Sequence, residues 1–399
     1  MTAPRWPGPP SLAWLQALRE PQLAMGWQLG EWEYVIRLAR RLRLLARLAD
    51  SIDTAGLTSR VPAQARRHLL AEQRLSAWRT AAMVWALRRV GAVLGGHGYP
   101  CVLLKGAAYI GQDLPIAAGR LPADVDILVP RAHLADAQAR LAEAGWQELE
   151  LDAHDQRYYR EWSHEVPPMR HPAHHIELDL HHNILPPVGR TTVDAALLVT
   201  RLQPSVWPAW QVLHPVDQVL HSAAHLFLDA EVRDRVRDLV DLDGLFRHFG
   251  AQASFWAELP PRAKALGLTE PLALACHFCC RWFDTPIPRH ALQQVEEQGP
   301  SLWRRAWLLP VLRQILMPTD PDRRAPLMQD IAASLFLIRH HRNRMSLRLL
   351  VPHLWHKSRP TQWLNESVKR SRGSRSCASV LGELTQAQSL RAGGADEAN

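Results

Sequence analysis

The sequence predicts an α+β protein: a small mixed sheet with flanking helices, set between an N-terminal helical region and a C-terminal all-helical domain. Three observations carry this expectation. Apolar residues recur at three- and four-residue steps from Leu12 to about Gly95 and again after Pro187, the period of one helix face. Between those regions the period changes: Cys101–Leu104 and Val125–Val129 are short apolar runs and Ile176–Leu180 alternates strictly, as strands do. Helix and strand signals then follow one another, with later antiparallel candidates, inside a unit of about 85 residues. The expected layout is a helical region 1–95, a sheet domain 96–186, a helical domain 187–365 and a disordered tail 366–399.

The elements follow in order. Four prolines in the first ten residues read as an irregular arm. Glu31–Asp50 places Tyr34, Leu38, Leu42, Leu45 and Leu48 on one helical face, and Ala63–Leu94 does the same with Leu75, Trp78, Ala82, Trp85 and Val93. Gly95, Gly96 and Gly98 end that helix and open a turn. Arg131–Ala144, with Leu134, Ala137 and Leu141, is a helix closed by Gly145; Gln147–Leu151 and Tyr158–Val166 are weaker strands. Helices are expected at Pro215–Ala230, Val232–Phe249, Ala251–Leu266, Pro271–Phe283, Leu302–Leu316 and Leu327–Leu350. Beyond Lys369 the chain is rich in Ser, Arg, Gly and Ala, a composition that cannot bury a core.

With 47% apolar and 22% charged residues in 399, the composition is globular. No run reaches the roughly 18–20 apolar residues of a membrane span, and MTAPRWPGPP lacks the apolar stretch of a secretory signal; a soluble cytoplasmic protein is expected. Five cysteines form no disulfide framework, and Cys276, Cys279 and Cys280 read as small core residues. Sixteen tryptophans, mostly on apolar helix faces, suit packing. The net charge is +8, yet Ser301–Arg375 alone holds 15 basic and 4 acidic residues. Such a segment is a solvated face or meets a polyanion such as RNA or an anionic membrane.

Chemistry concentrates between the helical regions. In LPADVDILVP, Asp124 and Asp126 stand two apart on a strand, so both carboxylates emerge on one face while Val125 and Ile127 take the other. Adjacent carboxylates repel unless a cation offsets them, and a hard divalent ion, Mg²⁺ or Mn²⁺, suits oxygen donors. Alternation in HHIELDLHHNI puts Glu177, Asp179 and His181 on one face; Asp179 is the chosen third carboxylate and Glu177 the reserve, if this strand lies beside the first. Upstream, VLLKGAAYIG turns from strand to helix at Lys105-Gly106. There Gly106 allows backbone N–H groups close to a phosphate and Lys105 adds a positive charge.

Farther on, His214, His221 and His225 cluster without the glutamate of a zinc-protease motif. Arg233, Asp234, Arg237, Asp238 and Asp241 read as i,i+4 ion pairs, or His225, Arg237 and Asp241 line a cleft facing the sheet. His154, His164, His171, His174 and His175 sit in a Pro- and His-rich connection without a recognised zinc spacing.

The ordered set Lys105-Gly106, Arg120, Asp124-Val125-Asp126-Ile127-Leu128-Val129 and Leu178-Asp179-Leu180-His181 resembles uncharacterised bacterial nucleotidyltransferase-like proteins of the polymerase-β-like superfamily. Motif-level similarity runs from about Val102 to His182, with a weaker echo through Pro215–Phe249. The resemblance implies a palm-like core and an all-helical C-terminal region. It also implies Asp124, Asp126 and Asp179 as Mg²⁺ ligands and a nucleoside triphosphate as donor. The superfamily usually places Gly-Ser or Gly-Gly where this chain has Lys105-Gly106, and the interval from Gly106 to Asp124 is longer than in minimal members. Both features recur in the subfamily, as does an arginine four residues before the first aspartate, here Arg120, assigned to phosphate or to holding the aspartate pair. The expected activity is Mg²⁺-dependent transfer of a nucleoside monophosphate to an unidentified hydroxyl of a small molecule, protein or RNA. The alternatives are an inactive relative that binds nucleotide or protein, and a nucleic-acid binder acting through the basic C-terminal part.

Overall fold

In a computed structural model, the described residues are 10–149, 151, 156–157, 159, 162–173 and 176–344. The expected disordered tail, the last part of the basic segment, most of the N-terminal arm and His154, His174 and His175 lie outside them.

The N-terminal helices are α1 (Leu29–Arg41), α2 (Leu45–Thr54) and α3 (Ala63–Leu94). One expected helix, Glu31–Asp50, is thus two, turning at Arg43, whose φ is 56°. The reason lies in Leu42, Leu44 and Leu45, all buried. On one straight helix, residues two apart point to nearly opposite sides, so Leu42 and Leu44 could not share a core; the corner lets both enter it. The long α3 runs 32 residues and buries Leu69, Met83, Leu87, Val90 and Leu94, ending at the glycines expected to end it.

Next come strand β1 (Val102–Leu103), helix α4 (Lys105–Ile110), β2 (Asp124–Leu128), α5 (Leu134–Glu143), β3 (Gln147–Glu148), β4 (Met169–Arg170), β5 (Glu177–His181), β6 (Gln203–Pro204) and β7 (Gln211–Val212). They form one seven-stranded mixed sheet in the order β3-β4-β5-β2-β1-β7-β6. At its centre β2 and β5 run parallel, with Asp124 opposite Glu177, Asp126 opposite Asp179 and Leu128 opposite His181. One face of this pair is the core: Val125, Ile127, Leu178 and Leu180 are fully buried. β1 is antiparallel to β2 and parallel to β7. Strands β6 and β7 had no signal because two residues cannot show alternation, and Pro204 suits the edge that β6 occupies. Of the expected Tyr158–Val166 strand, the described end contributes a bridge from Glu165 to His181.

The C-terminal helices are α6 (Pro215–Leu228), α7 (Val236–Phe249), α8 (Ala253–Ala265), α9 (Thr269–Phe283), α10 (Arg289–Gln298), α11 (Leu302–Leu316) and α12 (Leu327–Arg344). Helix α7 starts four residues later than expected, after Asp234 at φ 60°. Cys276 and Cys279 are buried core residues. No helix among the described residues is long and apolar enough to cross a membrane. In the described part of the basic segment, Arg304 and Arg339 both pair with Glu270 and Arg305 pairs with Glu296, so much of that charge is matched within the fold.

Candidate active site

The sheet presents its polar face to a cleft of ≈ 410 Å³. Asp124 and Asp126 project into it from β2, and β5 sets Asp179 directly beside Asp126 in register, within the roughly 5 Å that separates neighbouring strands. Asp126 is buried; its Oδ1 accepts from Lys105 Nζ at 2.8 Å and lies 3.0 Å from His181 Nε2. Burial opposes the charge of Asp126, but the Lys105 ammonium and the His181 contact outweigh it and hold the carboxyl well below the usual range. Asp124 reaches solvent at the cleft surface, yet the protein packed around it and repulsion from Asp126 push its carboxyl up. Asp179 is pushed up to about 8 by burial and by the charges of Asp126, Asp124 and Glu165. These three acids therefore crowd negative charge beyond what Lys105 neutralises, the condition under which a cation is favourable.

The turn that carries Lys105 is unusual. Lys105 opens α4 with φ 44°, the left-handed region, which costs a side-chain-bearing residue about 1–2 kcal/mol. That position is where the resemblance expects glycine. Here a lysine accepts the strain, and its ammonium sits on Asp126. Gly106 follows for a different reason: a Cβ there would run into the Arg120 guanidinium. Arg120 passes over the Tyr109 ring, 5.5 Å from its centroid, and donates to Asp241 Oδ2 at 2.9 Å.

Helices form the opposite wall. Asp241 of α7 also accepts from Arg47 of α2 at 3.0 Å. Asp238 pairs with Arg235 at 3.1 Å and Arg237 at 3.2 Å; burial opposes its charge, but the two guanidiniums hold its carboxyl well down. His225 lies 3.1 Å from Arg235 Nη1, and burial, then Lys105 and Arg235, keep it neutral. Arg41, Arg43 and Arg233 complete the lining. Arg43 makes no ion pair among the described residues, so its charge is open to the cleft.

Of the sequence-derived candidates, Asp124, Asp126, Lys105, Arg120, His225, Arg237 and Asp241 all line this cleft. Asp179 and His181 adjoin it through Asp126. Glu177 turns outward to Arg170, away from the other acids. Gly106 is buried beneath Arg120. The expected i,i+4 pairs do not form: Asp234 joins Arg41 at 2.6 Å and Arg233 joins Asp330 at 2.7 Å, because both precede α7 and have no helical turn to align them. His214 lies beside Arg201, 3.2 Å away, apart from His221 and His225.

Sequence reasoning missed Arg43, Arg47, Arg235 and Glu165. The first two come from helices that carry no motif, and nothing in LARRLRLLARL marks a corner. Arg235 stands among similar arginines, and Glu165 lies in the His-rich connection. No curated protein and no solved structure matches the chain. A family model described as an uncharacterised nucleotidyltransferase matches residues 29–284, well over half of the chain and spanning both walls of the cleft, and the chain belongs to that family.

Proposed function

We propose that this protein transfers a nucleoside monophosphate from a nucleoside triphosphate to a hydroxyl acceptor, with Asp124, Asp126 and Asp179 holding Mg²⁺ or Mn²⁺. The observation that carries the reading is the in-register pairing of Asp126 with Asp179, Asp124 two residues away on the same face, opposite a wall of guanidinium groups. The donor set fits the ion: three carboxylates, of which Asp124 and Asp179 have pKa values raised by burial and then by mutual repulsion, and whose oxygens suit a hard cation. When bound, that cation supplies charge neutralisation at the phosphates and orientation of the reacting oxygens.

The chain's residues do the rest. Arg43, open to the cleft, and Arg237 are positioned for phosphate oxygens, in the forked geometry guanidinium groups favour. Arg120 is fixed by Asp241 and Tyr109, which makes it a positioning residue for the turn at Gly106. Lys105, which pairs with Asp126 Oδ1 at 2.8 Å, would yield that oxygen where the carboxylates hold a cation. The acceptor oxygen bonds to the α-phosphorus, the bond from that phosphorus to the α–β bridging oxygen breaks, and pyrophosphate leaves. Asp179, once ionised, accepts the proton of the acceptor hydroxyl.

A second reading, a nucleotide-binding module without transfer, is favoured by one contact: Lys105 already neutralises Asp126. Pyrophosphate release from each of the four common nucleoside triphosphates with Mg²⁺ separates the two. Release by the wild type, lost by at least about a thousandfold in Asp124→Asn and in Asp124→Asn/Asp126→Asn, is expected for a metal-supported transfer. Asp124→Asn alone keeps Lys105 paired and so controls for folding. Undiminished release from both variants overturns the proposal; nucleotide binding without release establishes the second reading.

A further inference from the structure

Beside the cleft lies a cluster that nucleotide transfer does not use. The segment before β4 is stitched to β5 by hydrogen bonds from Val166 N to Leu180 O, 3.0 Å, and from His182 N to His164 O, 2.8 Å. This brings one donor atom from each of His164, Glu165 and His181 within 4.8 Å of the others. The rings of His164 and His181 are 5.3 Å apart. All three side chains are held by paired backbone, so their separation is a property of the sheet.

The state of His181 is the informative part. Its ring is 1% exposed. On one side, Nε2 meets Asp126 Oδ1, an oxygen that already accepts from Lys105; a carboxylate can only accept, so Nε2 carries the hydrogen. In the neutral ring Nδ1 is then a bare lone pair. It is buried without a hydrogen bond, and Glu165 Oε2 stands 3.3 Å away. Two electron-rich atoms held that close, one of them buried, call for a positive charge between them. A metal-bound histidine in proteins almost always donates its other N–H to a carboxylate, a backbone carbonyl or water, and Asp126 is already in that place.

We infer that His164, Glu165 and His181 bind a divalent cation of the zinc class. Two imidazoles and one carboxylate suit Zn²⁺ and its neighbours, whereas Mg²⁺ prefers oxygen alone. Glu165 also lines a second cleft of ≈ 360 Å³ beside Glu148 and His182, which gives the ion a path from solvent and leaves its fourth position to water or a ligand. The bound ion keeps His181 in the tautomer that donates to Asp126, which makes His181 a positioning residue for that carboxylate. The site requires no nucleotide transfer, so it stands or falls separately from the proposed activity.

The test uses the full chain, stripped with a chelator and titrated with Co²⁺ and Zn²⁺ in excess Mg²⁺, which occupies oxygen-only sites. Visible absorption of Co²⁺ reads nitrogen ligation and calorimetry reads stoichiometry. The wild type and Asp124→Asn/Asp179→Asn are expected to bind one equivalent with the same four-coordinate spectrum. His164→Gln and Glu165→Gln should each weaken binding by more than about a hundredfold, the upper range for loss of outer-shell partners alone. A wild type that binds no Co²⁺ under these conditions overturns the inference. So does binding unchanged in His164→Gln and Glu165→Gln, or lost in the aspartate double variant.

Discussion

The sheet wall of the cleft draws its charges from adjacent strands and the turn before them: Asp124 and Asp126 from β2, Asp179 and His181 from β5, Lys105 from the start of α4. The helical wall draws on distant stretches of chain: Arg43 and Arg47 at the α1–α2 corner, Arg235, Asp238 and Asp241 around α7. On the sheet, like charges are forced together and only partly neutralised. Among the helices Asp238 is matched by Arg235 and Arg237, Asp241 by Arg47 and Arg120, and Asp234 by Arg41. Under the proposed function the contrast is a division of labour: the under-neutralised wall would take the cation and the matched wall would frame the phosphates.

The sharpest way to break this contrast is to remove the ammonium of the sheet wall. Lys105→Met leaves Asp126 buried without its ammonium, and breaking such a pair costs about 3–5 kcal/mol, read as a lower urea midpoint with unchanged slope. Millimolar Mg²⁺ should restore more stability to this variant than to the wild type, since ligand that binds only the folded state stabilises it. Equal stability of variant and wild type would mean that the wall is not under-neutralised.

Gly106→Ala probes the joint between the walls. The added methyl group displaces Arg120 from its path to Asp241, an overpacking cost of about 1–3 kcal/mol in chemical denaturation. Arg120→Ala in the same chain should recover part of that overpacking cost; no recovery would show that Arg120 is not the obstacle.

Acid tests the interior between the walls. Burial, with Lys105 and His181 nearby, pushes His221 of α6 down to about 3, against about 6.5 in an unfolded chain. Between those values the unfolded state binds a proton that the folded state refuses, so stability falls as pH drops from about 6.5 toward 3, by about 1.4 kcal/mol per pH unit. His221→Gln should flatten the slope by that amount in denaturation at pH 4–6. An unchanged slope would place His221 in a wetter setting than the one described.

The smallest effect falls on the helical wall. Arg43→Ala is expected to raise KM for the triphosphate about fivefold, about 1 kcal/mol, with kcat unchanged, the signature of uniform binding lost. A fall in kcat at constant KM would move Arg43 from the frame to the chemistry.

The same contrast explains what could be read in advance. The shared face of Asp124 with Asp126, and of Glu177 with Asp179, was legible because strand alternation settles which side chains lie together; the register of β2 against β5 that sets Asp179 beside Asp126 was not. The bounds of helix α3 were legible because a glycine cluster ends it, but its buried face was not: Trp78 and Trp85, expected on the packed stripe, are exposed, and Leu69, Met83, Leu87 and Val90 face the core instead. Arg43 was not, because the corner that exposes it follows from the competing burial of Leu42, Leu44 and Leu45 rather than from any breaker residue. Nor was the pairing of Asp241 with Arg47 and Arg120, whose partners are 194 and 121 residues away. The register of Glu177 opposite Asp124 was as favourable as that of Asp179, but Arg170 on the neighbouring strand claims it.

The left-handed backbone at Lys105 sets a rule for anyone who would edit this turn. A codon change to glycine relaxes the peptide and deletes the ammonium at one stroke, so its phenotype blends two causes of opposite sign. Asparagine, which tolerates that backbone better than most residues and carries no charge, separates them: Lys105→Asn reports the missing cation with less of the geometric relief.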